Sequence, residues 1–140
     1  MKLAGKTALV AESGSAAAVA TVLRRAGARV ETTDDIEAAL AEAAARFGGL
    51  DIVFAPAHAH TVHAALPHLR DNGAVILYGR ASAHPPTGLL EPRWLRVNYV
   101  TADASTPPDE VAEAVLFLAS DDAFTVQGEE LVLNGLALAS

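Results

Sequence analysis

Six short segments rich in branched apolar residues recur along this chain: Thr7–Ala11, Arg29–Thr32, Asp51–Ala55, Ala74–Tyr78, Leu95–Val100 and Glu130–Leu133. Stretches of helical periodicity fill most of the gaps between them. This alternation leaves few ways to fold. Strands joined through helices must run parallel, their crossovers are right-handed, and the sheet is covered on both faces. The expected fold class is therefore α/β: a Rossmann-like, doubly wound parallel sheet of about six strands. No repeat or linker divides the chain, so residues 1–140 are expected to form one domain.

The helical stretches have recognisable ends. Ser15–Arg25 places Val19, Val22 and Leu23 on one face and stops at Gly27. Asp34–Phe47 opens with two acids, as a helix N-terminus prefers, and turns Ile36, Leu40 and Ala44 inward. The spacing of Val62, Ala65, Leu66 and Leu69 predicts a helix over His60–Arg70, ending at the turn Asp71-Asn72-Gly73. Residues 105–119 carry a Ser/Thr cap, early prolines, first-turn acids, and Val111, Val115 and Leu118 inward. One gap breaks the rhythm. GRASAHPPTGLLEPRW, from Gly79 to Trp94, reads as a loop that replaces a covering helix, so one crossover helix is expected to be missing.

A chain of 140 residues can bury a core without a disulfide or metal staple. Its net charge of −7 argues against nucleic acid or an anionic membrane as a partner. With no cysteine there is no thiol catalysis and no thiolate metal site. No apolar run approaches a membrane span, and MKLAGKTALVAES holds no signal-peptide core, so a cytoplasmic protein is expected.

The C-terminal stretch DEVAEAVLFLASDDAFTVQGEELVLNG resembles the last helix and last strand of classical short-chain dehydrogenases/reductases. KTALV, RRAGARV, RFGGLDIVFAPA, AALPHLRDNGAVIL and LRVNYVTAD fall into register as islands along nearly the whole chain. The resemblance implies a truncated and degenerate member of that family. Its cofactor loop is Thr-Gly-x3-Gly-x-Gly, and Ala11-Glu12-Ser13-Gly14-Ser15-Ala16 keeps only Gly14. Those glycines let the backbone approach a pyrophosphate at a helix N-terminus, and here Glu12 adds a carboxylate. Asp34 stands where the family holds the adenosine ribose, although an acid there also suits a helix cap. The Asn-Asn-Ala-Gly motif is replaced by Ala55-Pro56-Ala57-His58. Neither Tyr78 nor Tyr99 has a lysine four residues on, and Lys2 and Lys6 are the only lysines. Hydride transfer in the family uses that Tyr–Lys pair. NAD(P) and dehydrogenase activity are accordingly not expected, and Gly14 and Asp34 read as vestiges of a cofactor site.

Other residues offer chemistry. His58 and His60 follow the third strand, where the crevice of a doubly wound sheet lies, and an imidazole with an ordinary pKa of about 6.5 suits proton transfer. His63 and His68 are further along the same stretch; three histidines with no acid nearby in sequence make a poor metal site, and no metal is expected. Arg80, Ser82 and His84 follow the fourth strand: Arg80 as an anion-binding or surface cation, Ser82 as a catalytic candidate lacking a nucleophile elbow. Ser13, Arg80, His84 and Trp94 are the ligand-binding candidates, Trp94 as a pocket wall or a core anchor. The missing helix would leave the sheet beside Ala74–Tyr78 and Leu95–Val100 partly bare, with Leu89, Leu90 and Trp94 filling part of the gap, which predicts a homo- or hetero-oligomer. The expected role is a cofactor-independent binding protein or proton-transfer enzyme for a small organic ligand. The alternatives are a non-catalytic subunit that regulates a related partner, and a residual NAD(P) sensor.

Overall fold

In the computed structural model, which describes residues 1–79 and 90–133, all six expected strands form one parallel sheet. They are β1 (Thr7–Ala11), β2 (Arg29–Thr33), β3 (Leu50–Pro56), β4 (Leu69–Tyr78), β5 (Arg96–Ala102) and β6 (Glu130–Leu133), in the order β2-β1-β3-β4-β5-β6. Among the described residues four helices are seen whole: α1 (Ala16–Arg25), α2 (Ile36–Phe47), α3 (Ala59–Ala65) and α4 (Pro108–Ala119). The chain leaves β1 for β2 on one side and returns to β3 on the other. The order therefore reverses between β1 and β3, where open α/β sheets carry their ligand crevice.

Alternate strand residues feed two cores, as the two-residue period requires. Ala8, Val10, Ile52, Phe54, Ala74, Ile76 and Val100 face α1 and α4. Leu9, Val53, Ala55, Val75, Leu77, Val97 and Tyr99 share the other core with Leu40 and Ala43 of α2 and Val62 and Ala65 of α3. Among the described residues no helix is long and apolar enough to cross a membrane.

Three expectations about helices need correction. α3 stops at Ala65, followed by a 3-10 turn over Leu66–His68, and Leu69 and Arg70 already belong to β4. Pro67 has no N–H for the carbonyl four residues back, and its ring crowds that carbonyl, so the α-helix ends just before it. The Asp71-Asn72-Gly73 turn survives as an irregularity inside β4: Leu50 pairs with Leu69, the register shifts, and Ile52 pairs with Ala74, with Asn72 at φ 67°. At α4 neither Ser105 nor Thr106 caps. Both hydroxyls bond Asp103 Oδ1, at 2.6 and 3.0 Å, and Pro107 takes the cap position with no side-chain bond. At α2 the cap is Asp35, whose Oδ1 accepts from the Ala38 amide at 3.2 Å, which leaves Asp34 out of that role.

The sheet beside β4 and β5 is not bare. Val75, Leu77, Val97 and Tyr99 are each at most 2% exposed, and Leu90 and Leu95 join them in the core. Trp94, between those leucines, is 71% exposed. It ends the 3-10 turn Glu91–Arg93 in the left-handed region (φ 59°), so its neighbours enter the core and its ring does not. The core-anchor reading of Trp94 therefore fails. The expected missing crossover helix, and Leu89, fall within residues 80–89, outside the described residues.

Candidate functional site

The crevice end of the sheet is built by the residues just beyond each strand. After β1, Glu12, Ser13 and Gly14 lead into α1, whose Ser15 N-cap offers no side-chain bond. Glu12 and Ser13 line an open cavity of about 330 Å³ with Ala16, Ala17 and Thr32. Gly14 does not have the dihedral that demands glycine, and a Cβ built on it meets nothing within 4 Å. The single glycine retained from the family loop is thus not held there by geometry. Glu12 adds a carboxylate to the lining of that cavity.

The second cavity, about 390 Å³, lies between the starts of α2 and α3. Asp34, Asp35, Ile36 and Glu37 line it from one side, His58, His60 and Thr61 from the other. The two imidazoles and Asp34, far apart in sequence, are brought to one site. Asp34, Glu37, His58 and His60 are all exposed, and none of their side chains is hydrogen-bonded or ion-paired to another described residue. Acids do therefore come near the histidines, contrary to the expectation from sequence. Among the described residues, however, no group of three or more His, Asp or Glu is placed to hold a metal ion.

The remaining candidates divide. Trp94 lines neither of these cavities, since its 3-10 turn puts it before β5, at the opposite end of the sheet. Arg80, Ser82 and His84 lie outside the described residues. Sequence reasoning missed Thr61, which is 2% exposed, and missed Asp35 and Glu37 as cavity walls. Thr61 sits in the first turn after His58, and its place beside the start of α2 is set by the packing of two helices, which no local sequence signal marks. It also missed a cavity of about 300 Å³ at the ends of β5 and β6, lined by Thr101, Asp103 and Val132 among others.

Charge is sharply segregated along the strand direction. Lys2 and Lys6 precede β1; Arg24, Arg25 and Arg46 end α1 and α2; Arg29, Arg70, Arg93 and Arg96 stand at the starts of β2, β4 and β5. These are nine of the ten Lys and Arg residues, and Arg80 is the tenth. At the crevice end stand Glu12, Asp34, Asp35, Glu37, Asp103, Asp109 and Glu110. The far end is locked by its own pairs. Lys6 bonds Asp121 at 2.9 Å, Lys2 pairs with Asp122, and Arg70 bonds Asp51 at 3.1 Å. Lys6 beside it, chiefly through their hydrogen bond, holds the Asp121 carboxyl below the usual carboxylate range. The two lysines are thus remote from the crevice. Tyr99 is buried within the sheet, and Tyr78 lies edge-on to Phe54 with ring centroids 6.2 Å apart.

No protein-family model and no curated protein matches the chain. Solved structures do. A variant of the Serratia marcescens short-chain dehydrogenase/reductase superposes with a TM-score of 0.77 at 19% identity, over 96% of this chain and 98% of that one. A short-chain dehydrogenase/reductase from Brucella melitensis, described as a glucose/ribitol dehydrogenase, gives 0.76 at 19% identity over 96% and 97%. A short-chain type dehydrogenase/reductase from Mycobacterium marinum gives 0.75 at 18% over 96% and 95%. The chain therefore has the fold of the short-chain dehydrogenases/reductases.

Proposed function

We propose that this chain uses the dehydrogenase scaffold without its nucleotide, binding a small organic ligand in the His58–His60 cavity. The observation that carries this reading is the meeting of two unpaired imidazoles with Asp34 in one crevice-end cavity. There, one imidazole takes a proton from the ligand and the other returns one, which is the balance an isomerisation, cyclisation or elimination needs. The residues after β1 do not fit a diphosphate. Glu12 opposes it, Gly14 provides no tight turn, and the described cations lie at the other end. The hydride machinery that the family pairs with the nucleotide has no lysine to draw on at the crevice. The test is amide-resonance mapping with a set of small carboxylic acids, amines and neutral carbonyl compounds. Shifts gathered at Asp34–Glu37 and His58–Thr61 support the reading, and a set that leaves those amides unmoved overturns it.

Two other readings each have an observation in their favour. A non-catalytic subunit in a homo- or hetero-oligomer is favoured by Phe117 of α4, Phe124 and Val132 of the edge strand β6, which are 42, 70 and 68% exposed. A residual NAD(P) sensor is favoured by the uncapped start of α1 above its open cavity.

A further inference from the structure

We infer that Asn72 is a site of spontaneous covalent modification: in the folded chain its side-chain amide is lost to the Gly73 backbone nitrogen, and the product loosens the turn before β5. An asparagine followed by glycine sets a side-chain carbonyl beside a backbone nitrogen that no Cβ shields. Asn72 is exposed and its side chain bonds no other described residue, so its amide can swing toward the backbone. Its φ of 67° lies in the left-handed region, which a residue other than glycine holds at a cost. Leaving that conformation for one that permits attack relieves strain. Gly73 is fixed by packing. A Cβ there would lie 2.9 Å from the Arg70 carbonyl oxygen and 3.2 Å from Leu69 Cβ.

The sheet supplies freedom to move. Leu50 pairs with Leu69 and Ile52 with Ala74, so Asp51 alone stands opposite residues 70–73. Gly73 is buried, and this bulge can open to bare its amide proton while both flanking pairs stay in place. The Gly73 nitrogen then attacks Asn72 Cγ. A new N–C bond forms, the Cγ–Nδ2 bond breaks, and the side-chain nitrogen leaves as ammonia with the Gly73 amide proton. Water opens the resulting cyclic imide at either carbonyl, giving an aspartyl or an isoaspartyl residue at position 72. Both products add a negative charge beside Asp71, and the isoaspartyl form also lengthens the backbone before Ala74. Asp71 accepts from Arg93 Nε at 3.1 Å, and the Arg93 guanidinium also donates to the carbonyls of Leu66 and Leu69. The modification therefore strikes the anchor that ties the turn Glu91–Arg93 to β4. Asn98 is the contrast. It is 1% exposed, donates to the Val126 carbonyl at 3.0 Å, accepts from the Glu129 amide at 2.9 Å, and is followed by Tyr99.

The test stores the full chain in mildly alkaline buffer, with and without urea, and digests it with trypsin, which cuts after Arg70 and Arg80. Residues 71–80 then carry Asn72 alone, and Asn98 and Asn134 fall together in residues 97–140. Mass spectrometry counts the exchange of amide for acid, and chromatographic retention separates the aspartyl from the isoaspartyl product. Conversion of 71–80 in the native chain at a rate within about a hundredfold of that in urea is the expected result, as local opening permits. A native rate lower by more than about a hundredfold overturns the inference, because reaction through global unfolding alone is slower by about 1,000-fold or more. Stability on storage is the second readout. The urea midpoint of the parent should fall as conversion proceeds. Asn72→Gly, which suits the left-handed backbone and has no amide to lose, should hold its midpoint. An equal fall in both, or a parent midpoint unmoved at full conversion, overturns the claim that the product loosens the turn.

Discussion

Arg96 offers the sharpest test of how the sheet holds its last helix. Its side chain is 5% exposed and enters from the first residue of β5 beneath the C-terminus of α4. Nη1 donates to the carbonyls of Leu118 and Ala123, both at 2.8 Å, and Nη2 to that of Ser120 at 3.4 Å. The Leu118 carbonyl is one of those a helix end leaves unsatisfied, and a cation there also meets the negative pole of the helix. Arg96→Met keeps much of the volume and removes every donor. Two well-made bonds from a charged donor are each worth about 1.5–3 kcal/mol; the Leu118 carbonyl loses its donor, while those of Ser120 and Ala123 keep the amides of Ala123 and Val126. Against this stands the cost of burying the guanidinium, which lowers its pKa from the ordinary arginine value, with Asp121 acting the other way. The net expectation is a loss of about 2–4 kcal/mol, or roughly 8–15 °C in melting temperature for a domain of this size. Arg96→Lys, with a single nitrogen to reach three carbonyls, should fall about midway. Urea denaturation followed by far-ultraviolet circular dichroism measures both. Arg25→Met, at an exposed helix end, is the control and should cost under about 0.5 kcal/mol. If Arg96→Met also stays within about 0.5 kcal/mol, desolvation has cancelled the contacts and the capping argument is wrong.

Other perturbations draw on the same geometry. Gly49→Ala should destabilise by about 2–3 kcal/mol in the same assay, because Gly49 has φ 126° and its Cβ would sit 2.8 Å from Arg70 Cγ. Gly14→Ala, with open space around it, should be neutral or gain up to about 1 kcal/mol. His58→Ala and His60→Ala should each change stability by less than about 0.5 kcal/mol, since both are exposed, so any loss of ligand shifts in them reports binding and not unfolding. Burial pushes the Tyr99 phenol above its ordinary value. The folded state therefore keeps its proton longer than the unfolded chain, and the stability this provides is full below the unfolded pKa of about 10. Above that pH the parent should lose stability relative to Tyr99→Phe, as measured by urea midpoints between about pH 8 and 11.

The sheet was legible because its evidence is local. A five-residue run such as Thr7–Ala11, bounded by a lysine and a glutamate and buried along its whole length, has few other uses. α4 was legible from Val111, Val115 and Leu118, which all reach the core. Periodicity misled where two elements shared one apolar spacing. Leu66 and Leu69 fit a helical stripe, but Pro67 breaks the helix and Leu69 pairs with Leu50 of β3. Trp94 misled for another reason, since its exposure stems from one backbone dihedral that hydrophobicity does not encode. In the candidate site, His58 and His60 were found from their place after a strand. Their meeting with Asp34, Glu37 and Thr61 was not, because it depends on α2 and α3 starting side by side. Arg96 was invisible for the same reason: its partners are more than twenty residues away along the chain.

The central claim is that the scaffold persists without its nucleotide. A calorimetric titration of the purified protein with NADH and with NADPH tests it most directly, with the mass in solution measured beforehand. The account predicts no saturable heat at ligand concentrations up to about 1 mM, the range where a usable affinity would show. Micromolar binding, with the amides of Ser13–Ala17 shifted, would contradict it and restore the start of α1 as a working phosphate site.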